Sequence, residues 1–295
     1  MGFVAALIVD GVLAGAVYAV IALAFVVVYK ASRMMNFALG EWVMTGAQLA
    51  AAAFFVGGFA LPAAVAIACA GMMAVALLFN AVVLRRLVGQ PLISLIMVTL
   101  GLGALMRGAG ALLFRGIPGA IPLPIDPGAY AVVNGVAIAP EKIAAASVSA
   151  ACIAGTTWFF HRSRTGVALR AIADDQQVAM AMGIDVQRHF SLTWMIVGSL
   201  SVVSGVLWTS VSGGGFGVVL LGLKVFPIVI IGGLDSIPGT IAGAVIVGVI
   251  ESLAAGYLDP YVGGGFSMIA SYLALIAMLF ARPYGLFGRA HVERV

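Results

Sequence analysis

Charged side chains are scarce in this sequence. Only 9% of its 295 residues are Asp, Glu, Lys or Arg, against about 25% in ordinary soluble domains. Hydrophobic residues make up 63% of the chain, and the mean hydropathy is +1.17. Segments 12–29 and 240–258 are apolar on every side and match the roughly 20 residues that cross a bilayer as a helix. The composition excludes a soluble globular protein and predicts an all-α, polytopic membrane protein.

Residues that build metal sites, disulfides and hydrolytic sites are equally few. The two cysteines, Cys69 and Cys152, lie inside apolar segments, where they act as small hydrophobic residues. The three histidines are far apart, near predicted loops: His161, His189 and His291. The sequence contains no H-E-x-x-H motif and no Ser-His-Asp order. We therefore expect no metal site and no enzyme activity. The pI of 9.3 reflects cations spread thinly over loops rather than a nucleic-acid surface.

Hydrophobic runs predict about eight to nine transmembrane helices. Eight runs lie near residues 5–28, 37–56, 61–84, 92–113, 140–160, 189–210, 240–258 and 266–281. A shorter run, 218–234, is interrupted by Lys224 and Pro227 and follows the glycine-rich stretch SGGGFG at 212–217. This run is either a re-entrant segment that lines a pathway or a ninth span, because non-helical backbone at membrane depth needs protein or water around it.

Glycine patterns predict close helix packing and a tight turn. The small-xxx-small patterns at 11–15 and 239–243 let helix backbones approach each other. The stretch GGLDSIPG at 232–239 is rich in turn residues, and we expect Asp235 to cap the helix that follows it. The stretch RGIPGAIPLPIDPGAY at 115–130 predicts an irregular surface outside the membrane.

Positively charged residues occupy alternate loops. If the N-terminus is outside, 11 of the 15 Lys and Arg fall on one side: Lys30, Arg33, Arg85, Arg86, Arg162, Arg164, Arg170, Arg188, Arg282, Arg289 and Arg294. The positive-inside rule assigns these loops to the cytoplasm. The same count favours a full crossing by 218–234, since without it the C-terminal cations would lie outside.

The longest predicted cytoplasmic loop, 161–188, has helix signals of its own. Residues 165–173 favour a helix. Asp174 is predicted to cap a second helix, with Gln177 completing a capping-box-like pair, and Gly183 is predicted to end that helix in the left-handed conformation. The exposed side of these helices would mix charged and apolar side chains. That mixture fits either a docking surface for another protein or a solvated loop that rests on lipid headgroups.

Ionisable residues inside spans are functional candidates, because an unpaired charge near the bilayer centre costs at least about 2.5–3.5 kcal/mol on insertion scales. Four of them lie deep in predicted spans: Glu41, Arg107, Lys224 and Glu251. On a helix, Glu41, Thr45 and Gln48 share one face. A translocation pathway explains that polar stripe, and so does hydrogen bonding between helices, for instance from Glu41 to Lys224. Thr99 in the fourth span either faces the pathway or bonds a carbonyl of its own helix.

Three long motifs carry a family resemblance. They are NFALGEWVMTGAQLA at 36–50, SRTGVALRAIADDQQVAMAMGID at 163–185 and GLKVFPIVIIGGLDSIPGTIAGAVIVGVIE at 222–251. In this order and spacing they resemble the signature regions of the branched-chain amino acid ABC-importer permeases, in the shorter of the two Leu/Ile/Val permease types. The hydrophobic pattern matches over essentially the whole chain. Leu39 stands where the family often has histidine, so a hydrogen bond that histidine makes in relatives is not expected at this position.

The resemblance implies a single transmembrane permease domain over 1–295 in the bacterial inner membrane, which imports branched-chain or related amino acids. It implies no cofactor on this chain, because ATP is bound by partner ATPase subunits; the sequence agrees in having no G-x-x-x-x-G-K-[ST] phosphate loop. Its implied partners are a second, homologous permease subunit, two ATP-binding-cassette subunits and an extracytoplasmic solute-binding protein.

The resemblance also gives roles to individual residues. The loop at 161–188 corresponds to the coupling helix that docks on the ATPase. The residues that we assign to coupling are Arg164, Gly166, Arg170, Asp174, Asp175 and Gly183. The positions of polar and ionisable residues in the predicted spans, and not the resemblance, assign a second set to the translocation pathway: Asn36, Glu41, Thr45, Gln48, Thr99 and Lys224.

Two alternatives remain open at this stage. Relatives of this scaffold also carry urea and short amides, so the sequence does not fix the solute. An ion-coupled secondary transporter would bind its ion through carboxylates near the midplane of the membrane. Only Glu41 and Glu251 lie deep enough in predicted spans for that role.

Overall fold

The computed structural model describes residues 2–86, 92–125, 131–133, 136–213 and 216–288. The helices in these ranges are α1 (Gly2–Ser32), α2 (Leu39–Phe55), α3 (Leu61–Val82), α4 (Leu92–Leu113), α5 (Pro140–Arg162), α6 (Arg164–Asp174), α7 (Gln176–Ala181), α8 (Val186–Ser212), α9 (Leu220–Gly232), α10 (Ile237–Tyr257), α11 (Asp259–Val262) and α12 (Phe266–Ala281). Short 3-10 turns occupy Leu84–Arg86 and Phe216–Val219. Of the stretches and residues named above, 126–130, 214–215, Arg289, His291 and Arg294 lie outside the described ranges.

An apolar helix occupies each of the eight predicted spans, and α9 occupies the shorter segment. Within the described ranges, six helices are long and apolar enough to cross a membrane: Gly2–Ser32, Leu61–Arg86, Ile93–Leu113, Pro140–Arg162, Val186–Ser212 and Ile237–Tyr257. The apolar stretches Gly217–Gly232 and Phe266–Ala281 are shorter. The predicted all-α fold class, with about eight to nine membrane helices, is therefore confirmed.

The segment that follows the Pro- and Gly-rich loop forms a small antiparallel hairpin that the sequence analysis did not predict. Its strands are β1 (Ala131–Val133) and β2 (Val136–Ile138), with Ala131 opposite Ile138 and Val133 opposite Val136. Two Val-containing runs around an Asn-Gly pair are a strong sequence signal for a hairpin. The overall apolar character of the chain concealed it.

The helices divide into two compact units. The first comprises 1–26, 123–153 and 224–295. Its glycines allow the close packing that the small-xxx-small patterns predict: a Cβ on Gly15 would lie 2.8 Å from the Ala244 carbonyl oxygen, and one on Gly11 would lie 2.6 Å from Val249 Cα. The backbones of α1 and α10 are therefore in direct contact there.

Two turns of the first unit are fixed by side-chain caps. Ser236, and not Asp235 as predicted, caps α10, because its hydroxyl accepts a hydrogen bond of 3.1 Å from the Gly239 N–H. At the other end of α10, the Asp259 carboxylate accepts hydrogen bonds from the Ser267 N–H and hydroxyl, both 3.0 Å long. The backbone N–H bond from Ser267 is the main reason that the pKa of Asp259 lies below its usual value.

The second unit comprises 27–122 and 154–223. Helices α2, α3 and α8 pack together around an aromatic cluster of Trp42, Phe79 and Trp194, whose ring centroids are 5.0–6.4 Å apart. Each such contact contributes about 0.5–1.5 kcal/mol beyond the area it buries. Because Trp42 is fully buried in this cluster, it fixes the rotation of α2 and hence the direction of the preceding residue, Glu41.

Candidate functional site

Glu41 and Arg107 form an ion pair that joins α2 to α4. Arg107 Nη2 donates to Glu41 Oε1. The Glu41 side chain is 6% exposed and that of Arg107 is 55% exposed. Gly103, one turn before Arg107, makes room for the carboxylate, since a Cβ there would lie 3.2 Å from Glu41 Cδ and Oε2. The pair neutralises two charges that would each be costly alone in hydrocarbon.

This ion pair uses little of the hydrogen-bonding capacity of its two groups. Within the described part of the chain, Glu41 Oε1 accepts from Arg107 and Oε2 accepts no hydrogen bond. The other guanidinium N–H groups of Arg107 donate to no acceptor among the described residues. A carboxylate has about four acceptor positions and a guanidinium has five N–H donors. Most of these donors and acceptors therefore have no partner among the described residues.

A cavity of about 630 Å³ opens over this ion pair. Its volume is in the range of about 300–1,000 Å³ that is typical of small-molecule sites. Glu41 and Arg107 are the charged residues in its wall, which is otherwise made of apolar and small residues: Phe37, Leu100, Gly103, Ala104, Gly108, Ala111, Val219, Leu220, Gly222 and Leu223.

One wall of the cavity depends on two glycines that bring α2 against the start of α9. A Cβ on Gly222 would lie 2.6 Å from the Gly40 backbone nitrogen. A Cβ on Gly40 would overlap the Val219 carbonyl oxygen. A larger residue at either position would push the helices apart, so this wall has a fixed geometry.

Gln48 lies two turns further along α2, beside a second cavity of about 300 Å³. Its Oε1 is buried and has no hydrogen-bond partner among the described residues, and a Cβ on Gly110 would lie 2.7 Å from it. The predicted polar stripe therefore faces α4 at both Glu41 and Gln48. Thr45 has a buried hydroxyl without a described partner, and it is not among the lining residues of either cavity.

Asn36 and Thr99 fix the non-helical segment that precedes α2. Asn36 Oδ1 accepts a hydrogen bond of 3.0 Å from the Ala38 N–H. Thr99 donates to the Ile96 carbonyl of its own helix at 2.9 Å, the alternative that sequence analysis left open, and it accepts from the Phe37 N–H at 3.4 Å. These bonds position the start of α2, so both residues act on Glu41 through the backbone, and contact with a solute stays a prediction.

Lys224 belongs to a buried network in the first unit. Its ammonium lies 3.0 Å from Glu251 Oε2 and 3.1 Å from the Tyr18 hydroxyl. Tyr18 donates to the same Glu251 oxygen at 2.7 Å, and Ser271 donates to Glu251 Oε1 at 3.1 Å. Both carboxylate oxygens of Glu251 are thus hydrogen-bonded. The role of Lys224 in the pathway stays a prediction, but its described contacts are those of a structural network.

The loop at 161–188 contains two short helices, α6 and α7, as predicted. Gly166 and Arg170 anchor α6 on the end of α5: the Arg170 guanidinium donates to the Phe160 carbonyl, and a Cβ on Gly166 would lie 2.7 Å from the Phe159 carbonyl oxygen. The Ser163 hydroxyl caps α6 by accepting from the Gly166 N–H at 2.8 Å. The first helix of the loop is therefore held firmly to a membrane helix.

The predicted cap of α7 is wrong by one residue. Asp174 is the last residue of α6, and the cap is Asp175, whose Oδ1 accepts from the Gln177 and Val178 N–H groups at 2.8 and 3.0 Å. The cause is the backbone, because an N-cap needs non-helical angles and Asp175 has them, with φ −153° and ψ 111°. Gly183 has φ 82°, so the predicted left-handed end of this helix is confirmed.

The outer side of α6 and α7 is exposed and mixed in character. Arg164, Asp174 and Asp175 are exposed, and Arg170 is half-buried. The exposed large apolar residues on the same two helices and the residue after them are Val167, Val178, Met180 and Met182. Such apolar exposure in a loop that carries several charges is typical of a protein contact surface.

From the sequence, Arg107 is one of four ionisable candidates without an assigned partner, and Tyr18 and Ser271 have no predicted role. Arg107 could have been singled out further, because it is the one charged residue between 92 and 113. Tyr18 and Ser271 had no comparable signal, since hydroxyl residues are common in membrane helices and their partner, Glu251, is distant in sequence.

Known proteins resemble this chain over nearly its whole length. Residues 7–281 match the model of the family described as branched-chain amino acid transport system / permease component. The chain is 31% identical to the high-affinity branched-chain amino acid transport system permease protein BraD of Pseudomonas aeruginosa, over 98% of this chain and 97% of that protein. It is 29% identical to the permease protein LivH of the corresponding system of Escherichia coli, over 97% and 96%. Among solved structures, PsaBC from Streptococcus pneumoniae in complex with Fab aligns with a TM-score of 0.47 and 18% identity, over 96% of this chain and 91% of that chain. The chain is a multi-pass membrane protein and belongs to the family of branched-chain amino acid transport system permease components.

Proposed function

We propose that this chain is the membrane-spanning subunit of an ATP-driven importer of branched-chain amino acids in the bacterial inner membrane. The observation that carries the proposal is the pair of helices α6 and α7, which is anchored to α5 at one side and exposes apolar and charged side chains at the other. We infer the class of solute from the relatives BraD and LivH, which are named as permeases of high-affinity branched-chain amino acid transport systems.

In this proposal α6 and α7 couple the permease to an ATPase. The ATPase would contact the exposed apolar residues around Val178 and Met182, because burial of such groups is what stabilises protein interfaces. Movement of α6 would be passed to α5 through Gly166 and Arg170. The Arg33 guanidinium donates to the Ala173 carbonyl at 3.3 Å, so the segment that leads into α2 would move as well.

The contacts of the two membrane carboxylates favour ATP-driven transport over ion coupling. Glu41 is paired with Arg107, and Glu251 is paired with Lys224 and accepts from two hydroxyls. A coupling cation brings no anion of its own, so its binding to either carboxylate would leave Arg107 or Lys224 without a partner. An unpaired charge is costly at membrane depth.

The proposed assembly contains this chain, a second homologous permease, two ATP-binding-cassette subunits and an extracytoplasmic solute-binding protein. The loops that carry most Lys and Arg would face the cytoplasm, where α6 and α7 meet the ATPases. The binding protein would deliver the solute on the opposite side. Alternating exposure of the pathway would follow closure of the two ATPases.

Reconstitution of the whole importer into liposomes tests this proposal. We expect uptake of leucine, isoleucine and valine that requires ATP hydrolysis and continues when ionophores dissipate ion gradients. Uptake that continues without ATP hydrolysis and stops with the ionophores would show a secondary transporter. Uptake of urea or acetamide without uptake of the three amino acids would overturn the proposed solute class.

A further inference from the structure

We propose that Glu41 and Arg107 form a transit site for the zwitterionic head group of an α-amino acid. In this site the Glu41 carboxylate binds the solute's ammonium and the Arg107 guanidinium binds its carboxylate. The inference rests on the proposed function and deepens it, because it names the groups of the permease that meet the solute. It implies that the permease itself, and not the binding protein alone, discriminates amino acids from neutral solutes.

This ion pair leaves most of its hydrogen-bonding capacity unused among the described residues. Of the carboxylate oxygens of Glu41, Oε2 accepts no hydrogen bond from the described residues, and one nitrogen of Arg107 makes the contact to Oε1. A salt bridge that only stabilises a fold is expected to have its remaining lone pairs and protons satisfied, since desolvation otherwise outweighs the attraction.

In the salt bridge between Lys224 and Glu251, both carboxylate oxygens accept hydrogen bonds. There, Lys224 and Tyr18 occupy one carboxylate oxygen and Ser271 occupies the other. The side chains of Lys224 and Glu251 are 14% and 10% exposed. The Arg107 side chain, by contrast, is 55% exposed. The Lys224–Glu251 bridge therefore has the features of a bridge that stabilises the fold, and the Glu41–Arg107 bridge has those of one that is open to a ligand.

The ion pair faces a cavity. Arg107 lies inside a helix that is long and apolar enough to cross a membrane. A guanidinium in that position is rare toward lipid and instead faces protein or a water-filled cavity. Here both Arg107 and Glu41 line the same cavity of about 630 Å³.

Apart from the charged pair, the cavity wall consists of apolar and small residues. Leu100, Leu220 and Leu223 line the cavity together with the charged pair, which offers apolar contacts for a branched aliphatic side chain. Gly108 also lines it, and a Cβ there would have no atom within 4 Å, so there is open space beside Arg107. A cavity with both an opposed charge pair and leucine walls matches both ends of leucine, isoleucine or valine.

The chemistry favours a zwitterion over a singly charged or neutral solute. The ammonium and carboxylate of an α-amino acid are attached to the same carbon atom, Cα, so they can bind the two members of the pair at once and replace one protein ion pair with two. A carboxylic acid without an amino group would leave Glu41 facing a like charge. Urea and short amides would gain no charge pairing. Because the solute competes with the existing bridge, binding is weak, as passage through a transporter requires.

Charge-neutral variants of the full importer test this inference. We would measure leucine uptake and co-purification of all subunits for Glu41→Gln, Arg107→Gln and the double variant Glu41→Gln/Arg107→Gln. The double variant carries the test, because it retains two hydrogen-bonding side chains and leaves no unpaired charge in the membrane. We expect it to assemble and to lose leucine uptake by at least about tenfold, as loss of hydrogen bonds to charged groups implies.

A structural role predicts a different pattern. If the pair served only the fold, each single variant would be impaired and the double variant would recover uptake to within about twofold of the unmodified importer, as removal of both partners of a salt bridge commonly allows. That recovery would overturn the inference, and so would failure of the double variant to assemble. If the unmodified importer did not take up leucine at all, the proposed function would be overturned instead. Failure of the inference and failure of the proposed function are therefore distinguishable.

Discussion

The Tyr18 hydroxyl donates a hydrogen bond of 2.7 Å to Glu251 Oε2, although 233 residues separate the two along the chain. The bond ties α1 to α10 at a buried position, beside glycines whose missing Cβ atoms let the two backbones touch. Glu251 is therefore at the centre of the first unit, and its neighbours satisfy both of its oxygens.

Glu251→Gln is expected to destabilise the protein strongly. It leaves the Lys224 ammonium without its carboxylate, and breaking one side of a buried pair costs about 3–5 kcal/mol. Thermal melting in detergent measures the effect. The double variant Glu251→Gln/Lys224→Gln should melt at a higher temperature than the single variant. An unchanged melting temperature for Glu251→Gln would contradict the structural role of the network.

Gly103→Ala is expected to slow amino-acid uptake several-fold. The new methyl group would lie 3.2 Å from the Glu41 carboxylate and force it away from Arg107. Gly101→Ala is a matched control on the same helix, because a Cβ there meets no atom within 4 Å. Both variants are compared by uptake in the same reconstituted importer. Equal effects of the two would show that the position of the carboxylate does not matter.

The double variant Val178→Asp/Met182→Asp is expected to weaken binding of the ATPase subunits. Both residues are exposed on α7 or directly after it, and a buried unpaired carboxylate at an interface is strongly unfavourable. Co-purification of the ATPase measures the change. Val56→Asp is the control, since Val56 is also exposed but lies in the loop after α2. A normal yield of ATPase with the double variant would contradict the assignment of α6 and α7 to coupling.

Acid is expected to loosen the loop between α10 and α12. The pKa of Asp259 is lowered mainly by the backbone N–H bond from Ser267. Its folded-state pKa therefore lies below the unfolded value of about 3.9. The stabilisation is fully present above that pH and is lost as the pH falls through the folded-state pKa. Hydrogen exchange of the Ser267 amide between pH 6 and pH 3 measures it, and Asp259→Asn should remove the acid-dependent part. An acid dependence that persists in Asp259→Asn would point to another group.

The apolar runs of the sequence predicted the membrane helices well, because a chain in hydrocarbon must satisfy its backbone within each helix. The residues that begin and end helices were predicted to within about one position. Gly183 ends its helix as expected, whereas Asp175 and not Asp174 caps α7. Two adjacent aspartates are equivalent by composition, and only the backbone angles distinguish them. The same applies to Asp235 and Ser236.

Partners of the charged residues were much harder to predict. Glu41 was singled out by its position within an apolar segment, but its pairing with Arg107 depends on Gly103 facing α2, which is a tertiary relationship. Likewise, the hydroxyls that satisfy Glu251 come from helices that no local pattern connects. The assignment of these residues to a pathway therefore stays a prediction, and packing determined which charges pair with each other.

The measurement that tests the central claim most directly is protection of a cysteine placed beside the Glu41–Arg107 pair. Gly108 lines the cavity in open space, so Gly108→Cys can be labelled with a maleimide in the assembled importer after Cys69 and Cys152 are replaced by alanine. We predict that leucine slows labelling and that 4-methylpentanoate, which has the same carbon skeleton but no ammonium, does not at equal concentration. Equal protection by both compounds, or none by leucine, would contradict the account.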